Sequence, residues 1–411
     1  MPDTKTIWIA GAGVESVPLI AAAKQRGLHV VASDGDRHAP GFDQADEQVL
    51  VSCYDPKATV TAAQNYRRNV GPIDGVCSLG VDNALVVAEA AYALGLPGAN
   101  NLVSVRLSAD KLKLKEMLGY GGVPHPRGWS EEEVGGLVYS HRSLGLQSVV
   151  KPPDSRGARG VTILPYDPTP AQFEYAFRVA KAASPTGRVM IEQYLAGPQV
   201  SAEMVMLDSR RYAMPGFIDR NYSRLNQFAP HVIEDGGQQP SALHGPGVVL
   251  NLMFKAARAL QVTRGIIKGD VVWTTEGPKL IELALRPSGG WMASHQIPLA
   301  TGVDMLGIIL KLALGEKISI KEIRPKHQTP VASRYAFAHP GRVMAISLYP
   351  APSYLMHRHL FVREGDTIGP ITSHIARAGV VICTGETRAE AVARAEQEAA
   401  RIFIQTGVPV S

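Results

Sequence analysis

Cysteine is scarce in this chain: Cys53, Cys77 and Cys383 are the only three in 411 residues. An odd, widely spaced set makes no disulfide framework, and no C-x-x-C pair of the metal or redox kind occurs. That scarcity points to a reducing compartment. Long apolar runs are missing as well. The richest, residues 305–314, is interrupted by Lys311 and falls well short of the ~20 residues needed to cross a bilayer. Residues 1–6 are polar and show no signal-peptide pattern, so a soluble, cytoplasmic protein with no membrane partner is expected. Charge of one sign is weak: 42 basic against 37 acidic residues leave +5, without a Lys/Arg block. No nucleic-acid partner is implied, and anionic small molecules suit the sign. There is no internal repeat, and the P-loop pattern G-x-x-x-x-G-K-[ST] is absent.

What is present is ordinary globular composition, 45% apolar and 19% charged. The length argues two to four domains. The first hundred residues alternate strand and helix patterns: strands at 6–10, 28–33, 47–52, 75–79 and 95–97, and helices at 56–69 and 82–94. A Gly11-Ala12-Gly13 turn opens a first helix that ends near Arg26. Such alternation predicts a parallel sheet with helices on both faces. A basic amphipathic helix is expected over 108–119, stopped by the Gly/Pro-rich 121–126. From 147 to 325 the pattern becomes α+β, with strands at 148–151, 160–164, 188–193, 200–207, 265–274 and 279–285. The polar stretch 219–245 has little periodicity and reads as a substrate-loop region. Residues 325–330 read as a linker, and the tail as strands followed by a helix over 388–405.

Residues 265–290 are the most informative. Two apolar runs flank Thr275-Glu276-Gly277, which suits a three-residue hairpin loop. That loop sets Asp270 directly opposite Glu282, with Cβ atoms about 4.5–5.5 Å apart. Facing carboxylates repel unless a cation lies between them, and such a pair suits Mg²⁺ that shares its shell with phosphates. Arg286 falls on the same face as Glu282, where a guanidinium would stabilise charge on a transferring group. On the hairpin alone, a solvated polar face is the simpler explanation of the pair.

The order of other features decides between the two. Lys111 follows Ser108-Ala109-Asp110; Lys151 ends a strand and precedes the loop Ser155-Arg156-Gly157-Ala158-Arg159-Gly160, whose backbone could cradle phosphate. Glu192-Gln193-Tyr194-Leu195 leave a strand through a turn whose backbone could read an adenine edge. Taken in order, these features resemble the ATP-grasp superfamily over nearly the whole chain, most closely its carboxylate–amine ligase branch, which includes L-amino-acid ligases.

The resemblance implies an α/β and α+β architecture: an N-terminal parallel-sheet domain over 1–107, an ATP-grasp domain over 108–325 with its smaller nucleotide lobe at about 120–195, and a C-terminal domain over 326–411. It implies that Lys111 and Lys151 hold ATP phosphates, that residues 155–160 close over them, and that Glu192 with Gln193, Tyr194 and Leu195 binds adenine. Asp270 and Glu282 would bind Mg²⁺, with Mn²⁺ as a substitute, and Arg286 would steady an acyl phosphate. Arg286 and Lys151 are thus the expected catalytic cations. Two positions depart from the family pattern. Ala284 stands where an Asn commonly helps hold metal, and Gln199 where an acidic residue commonly binds ribose. The expected partners are a small carboxylate and an amine, and a homodimer is compatible with the reading. Arg220, Arg224, His231, His295 and Arg334 are candidates for substrate contact. A carboxylate–thiol ligase of the same fold, a non-catalytic nucleotide-binding module and a dehydrogenase remain as alternatives. The last rests on Gly11-Ala12-Gly13 with Asp34 after the next strand, half of a dinucleotide fingerprint.

Overall fold

The computed structural model describes residues 4–98, 100–130 and 147–407. Part of the expected nucleotide lobe, 131–146, and the polar start, 1–3, lie outside these. The first sheet is parallel, in the order β3-β2-β1-β4, from β1 (Thr6–Ala10), β2 (His29–Asp34), β3 (Glu47–Leu50) and β4 (Gly75–Cys77). All of β1 is buried, as a central parallel strand must be when both faces are covered. Ile7 and Ile9 point to one side and pack with Leu19 and Ile20 of helix Val17–Gln25 and with helix Met305–Ala313. Trp8 and Ala10 point to the other and meet Ala63 and Tyr66 of helix Pro56–Asn69 and Val86 and Ala90 of helix Ala84–Ala93. The expected strand at 95–97 does not form. The sheet ends at β4, and Leu94 and Leu96 pack under the Trp8 cluster instead.

A second sheet, β5-β8-β6-β7, is antiparallel: β5 (Gly128–Ser130), β6 (Ser148–Lys151), β7 (Thr162–Leu164) and β8 (Met190–Gln193). Helix Pro170–Ala183, started by a Thr169/Gln172 capping box, covers one face through Phe173, Ala176 and Ala180.

The third sheet has eight antiparallel strands. It contains β9 (Gln199–Met206), β10 (Tyr212–Asn221), β11 (Gly236–Gln239), β12 (Gly265–Thr274), β13 (Gly277–Ala284), β14 (Val331–Ala336), β16 (Leu355–Leu360) and β18 (Gly379–Thr384). Their order is β13-β12-β9-β10-β11-β14-β18-β16, so the tail extends the same sheet across the proposed linker. The polar stretch 219–245 is thus partly strand: β10 runs to Asn221, and β11 carries Gly236 and Gly237 against β14. A small sheet, β17-β15-β19, comprises β15 (Gly341–Leu348), β17 (Thr367–Ile368) and β19 (Ile402–Gly407). The last helix spans Arg388–Ala400, shorter than expected, because Ile402 and Ile404 alternate into β19. Among the described residues no helix is long and apolar enough to cross a membrane.

Candidate functional site

A cavity of about 480 Å³ opens between the second and third sheets, roofed by residues of the first sheet's loops and of the tail. One sheet contributes Lys151, Glu192 and the loop after β6; the other contributes Gln199, Arg220, Asp270 and Glu282.

Asp270 on β12 does face Glu282 on β13, but the hairpin reaches that register by a different route. The turn is two residues long, with Thr274 paired to Gly277 and Val271 to Leu280. Ile281 is then the extra residue of a bulge, which brings Asp270 opposite Glu282. Both carboxylates are held by cations. Arg220 Nη1 lies 3.0 Å and Lys268 Nζ 2.5 Å from Asp270, and Ser201 Oγ donates to it at 3.1 Å. Lys111 Nζ lies 3.2 Å from Glu282. Burial opposes ionisation of both acids, but these cations outweigh it and hold both below the usual carboxylate range. Two ionised hard-oxygen donors, directly opposed, fit Mg²⁺ that completes its shell with phosphate oxygens and water. They do not make an all-protein cage: no group of three metal-ligating side chains exists among the described residues. Ala284, which lines the same cavity, supplies no third donor.

Lys111 opens helix Lys111–Tyr120, whose N-terminus is capped by Asp110, and its ammonium also donates to Ser155 O at 2.7 Å. Lys151 ends β6 and meets Glu192 Oε1, while Lys115 Nζ lies 2.8 Å from Glu192 Oε2. All three side chains are buried. Burial pushes the Lys115 ammonium down to about 8. Burial also opposes the Glu192 charge, yet Lys115 and Lys151 together keep its carboxyl below the ordinary range. Glu192 is therefore committed to two ammonium groups. The N–H groups of Gln193 and Tyr194 are likewise engaged, with Arg127 O and Gln147 O at 2.9 Å each.

Arg286 follows β13. Its Nε donates to Asp82 at 3.0 Å and its Nη1 to Pro287 O at 2.9 Å. Burial works against its charge, and Asp82, Glu282 and Asp270 more than restore it. Two acids, Glu203 buried and Glu15 half-buried, hold the segment that carries it: Glu203 accepts from Ser288 N–H at 2.7 Å and Glu15 from Gly290 N–H at 2.6 Å.

The loop after β6 turns through positive φ at Gly157 (+62°), Ala158 (+57°) and Gly160 (+70°). At Gly160 a Cβ would lie 2.9 Å from Ala180 Cα, so only glycine fits beside helix Pro170–Ala183. Gly160 itself is outside the cavity lining, whereas Ser155 to Arg159 are in it. Arg156 reaches across to the first sheet's loops, where Nη1 donates to Asp82 O at 2.7 Å and the guanidinium lies 3.8 Å from the Tyr54 ring centroid.

Of the expected substrate contacts, only Arg220 lines the cavity, and its charge is taken by Glu234 and Asp270. Arg224 sits over Phe337. His231 meets Tyr175 Oη at 3.2 Å and bridges to Thr162, where the two sheets touch. His295 lies against His357, ring centroids 4.4 Å apart. Arg334 is buried on β14 and donates to Gln238, Ser333 O and Glu396. Asp34, half of the dinucleotide fingerprint, accepts from Ala12 N–H at 2.8 Å and from Asp36 N–H at 3.0 Å, so it ties its own turn to the Gly11–Gly13 turn.

Several residues at or next to the cavity lie outside the sequence motifs. Lys268, in the lining, precedes Asp270 by two on the same strand face, and Lys115, behind the lining on Glu192, follows Lys111 by four on one helix face, so periodicity points to both. Asp82, Glu234, Tyr335, His374 and Arg377 reach the cavity through long-range packing that no local pattern encodes.

Residues 334–407 match the family described as L-amino acid ligase C-terminal domain 2. An uncharacterized protein of Sinorhizobium fredii is 23% identical over 330 residues; the match covers 78% of this chain and spans 65% of that protein. The L-amino acid ligase of Bacillus licheniformis superposes with a TM-score of 0.79 at 19% identity, covering 99% of this chain and 100% of that one. The biotin carboxylase domain dimer of Hydrogenobacter thermophilus 2-oxoglutarate carboxylase, solved with MgADP and bicarbonate, superposes with a TM-score of 0.75 at 18% identity, covering 98% and 91%. The chain has the ATP-grasp fold.

Proposed function

We propose that this ATP-grasp chain is an ATP-dependent ligase. It converts a carboxylate into an acyl phosphate and joins it to an amine, with release of ADP and phosphate; amino-acid-like substrates fit best. One observation carries the reading: in a single cavity between two sheets, an opposed pair of ionised carboxylates stands beside Lys111, Lys151 and Arg286. The L-amino acid ligase match over the tail and the full-length superposition support the branch.

The chemistry follows from what these side chains can do. A carboxylate is a poor acyl donor, and phosphorylation gives it a leaving group. Phosphoryl transfer needs in-line positioning and charge neutralisation more than a protein nucleophile. In this reading Lys111 and Lys151 hold the phosphates, and the Ser155–Arg159 backbone covers them and excludes water from the acyl phosphate. Asp270 and Glu282 would hold Mg²⁺, which when bound neutralises phosphate charge. Arg286, fixed by Asp82, meets charge developing on the transferring group and then on the tetrahedral adduct. Glu192 orients Lys151 and Lys115, and the Leu195 backbone and Tyr194 carbonyl read the adenine edge. Gln199 meets the ribose.

The same reading divides the chain at 107/108 and 325/326, and it extends to a cytoplasmic homodimer, as the relative solved as a dimer suggests. The test is a coupled phosphate-release screen of amino acids in all pairs, with mass spectrometry of the products. A ligated product with stoichiometric ADP supports the proposal; absence of phosphate release with every carboxylate and amine tried would sink it.

A further inference from the structure

Asp82 stands where three parts of the molecule meet. It lies in the loop between β4 and helix Ala84–Ala93. The next residue, Asn83, is buried and donates from Nδ2 to Ala10 O at 3.0 Å, which fixes that loop to the central strand of the first sheet. Two arginines dock on Asp82. Arg286 donates from Nε to its carboxylate at 3.0 Å. Arg156, from the loop after β6, donates from Nη1 to its carbonyl oxygen at 2.7 Å. Burial opposes the Asp82 charge, but Arg286 outweighs it and holds the carboxyl below the usual range.

The loop that carries Arg156 is tied on either side of it as well. Ser155 O accepts from Lys111 Nζ at 2.7 Å, and Gly157 O accepts from the His374 N–H of the tail at 3.4 Å. Arg156 adds the tie to the first domain. Its guanidinium rests 3.8 Å from the Tyr54 ring centroid, so a ring and a carbonyl of that domain fix its plane.

Covering the phosphates would require only that the loop close. Here the closed loop and the reaction cation are fastened to the same residue, one through its main chain and the other through its side chain. The position of the cover relative to Arg286 is thus set through Asp82. Such registration matters, because a misplacement of about 1 Å at a reacting centre costs on the order of 100-fold in rate.

We propose that Asp82 registers the phosphate-covering loop against Arg286, with Arg156 as the latch, so that the acyl phosphate is held where the amine reaches it and water does not. Asp82 and Arg156 are positioning residues in this role. The inference rests on the ligase reading above and deepens it. In register, amine attack gives the amide and inorganic phosphate. Out of register, water attacks instead, breaking the bond between acyl group and phosphate and returning the carboxylate, inorganic phosphate and a proton.

The test measures inorganic phosphate and ligated product in the same reaction, with the donor and amine that release phosphate fastest. Arg156→Met keeps the stem against Tyr54 and removes the donors; Arg156→Lys returns a charged donor. Wild type should release phosphate and product in equal amounts. Arg156→Met should form product about 10- to 100-fold more slowly, the scale of one hydrogen bond to a charged group, and should release phosphate in excess over product. Arg156→Lys should bring the ratio back toward equality. A cycle with Asp82→Ala separates registration from two independent roles: the double variant should lose no more product formation than the worse single variant, whereas independent losses multiply. A rise in melting temperature with Mg-ATP checks that each variant retains its nucleotide site; where Arg156→Met lacks it, Arg156→Gln, which keeps a neutral donor, decides. Equal phosphate and product in the Arg156 variants, or losses that multiply in the cycle, overturn the inference while phosphate release leaves the ligase reading standing. A higher KM for ATP with the ratio unchanged assigns Arg156 to phosphate binding and overturns it too. No phosphate release with any pair removes the ligase reading itself, and this inference with it.

Discussion

Glu192 offers the sharpest perturbation. Its carboxylate lies between Lys115, at 2.8 Å, and Lys151, and the three side chains are only 4–6% exposed. The triad carries one net positive charge. Glu192→Gln removes the sole acid and leaves two buried ammonium groups facing each other. Breaking a buried ion pair in this way costs about 3–5 kcal/mol. Lys115→Met does the opposite: it leaves a neutral Lys151–Glu192 pair and replaces the second ammonium with apolar volume, which is near neutral for stability. The two substitutions act on one triad and should thus differ by about 3 kcal/mol or more. Hydrogen exchange of β6 and β8 at pH 7 reads this directly as the local opening free energy. The pH dependence adds a second reading. Lys115 is held down at about 8 in the folded chain, against 10.5 for the free side chain. Between those values the unfolded chain binds more protons, so this group's contribution to stability rises with pH through that window. Lys115→Met should lack that rise. Protection unchanged in Glu192→Gln, or lost equally in Lys115→Met, would refute the reasoning.

Glu282→Ala and Arg286→Ala should each lower ADP formation by at least about 100-fold, the scale of losing one electrostatic stabiliser, with circular dichroism unchanged; near-normal turnover would contradict their roles. Tyr54→Ala removes the platform under Arg156 and should raise KM for ATP about 2- to 5-fold, the equivalent of an exposed cation–π contact, with little change in kcat. Residues 155–160 should exchange amide hydrogens more slowly when Mg-ATP is bound, as measured by mass spectrometry; unchanged exchange would remove the closing role. His357, pushed down to about 4 by burial beside His295 and His359, is held neutral in the folded chain. Its contribution is complete above about 6.5 and is lost as pH falls toward 4, so His357→Gln should flatten acid unfolding across that window.

The sequence pattern revealed the parallel sheet because β1, β2 and β4 alternate with helices at short range. It also revealed the Asp270–Glu282 opposition, although through a turn that the chain does not form: the bulge at Ile281 compensates for the shorter loop. The eight-stranded sheet was not legible, because β11 pairs with β14 across almost a hundred residues and nothing local encodes that register. The segment 402–407 misled for a related reason. It continues the apolar spacing of the last helix, and only its pairing with β15 makes it a strand. At the site, residues on regular elements were readable by period, while Arg377, Glu234 and Asp82 come from loops or from strand partners distant in sequence. The substrate end therefore depended on the fold, and four of the five candidates for it, Arg224, His231, His295 and Arg334, lie elsewhere.

The central claim is an acyl phosphate intermediate, and isotope transfer tests it most directly. A donor carboxylate labelled with oxygen-18 is incubated with Mg-ATP and the acceptor that gives the fastest phosphate release. An acyl phosphate requires one labelled oxygen to leave with the released inorganic phosphate, which mass spectrometry detects as a single mass shift. Ligated product accompanied by unlabelled phosphate would contradict the account.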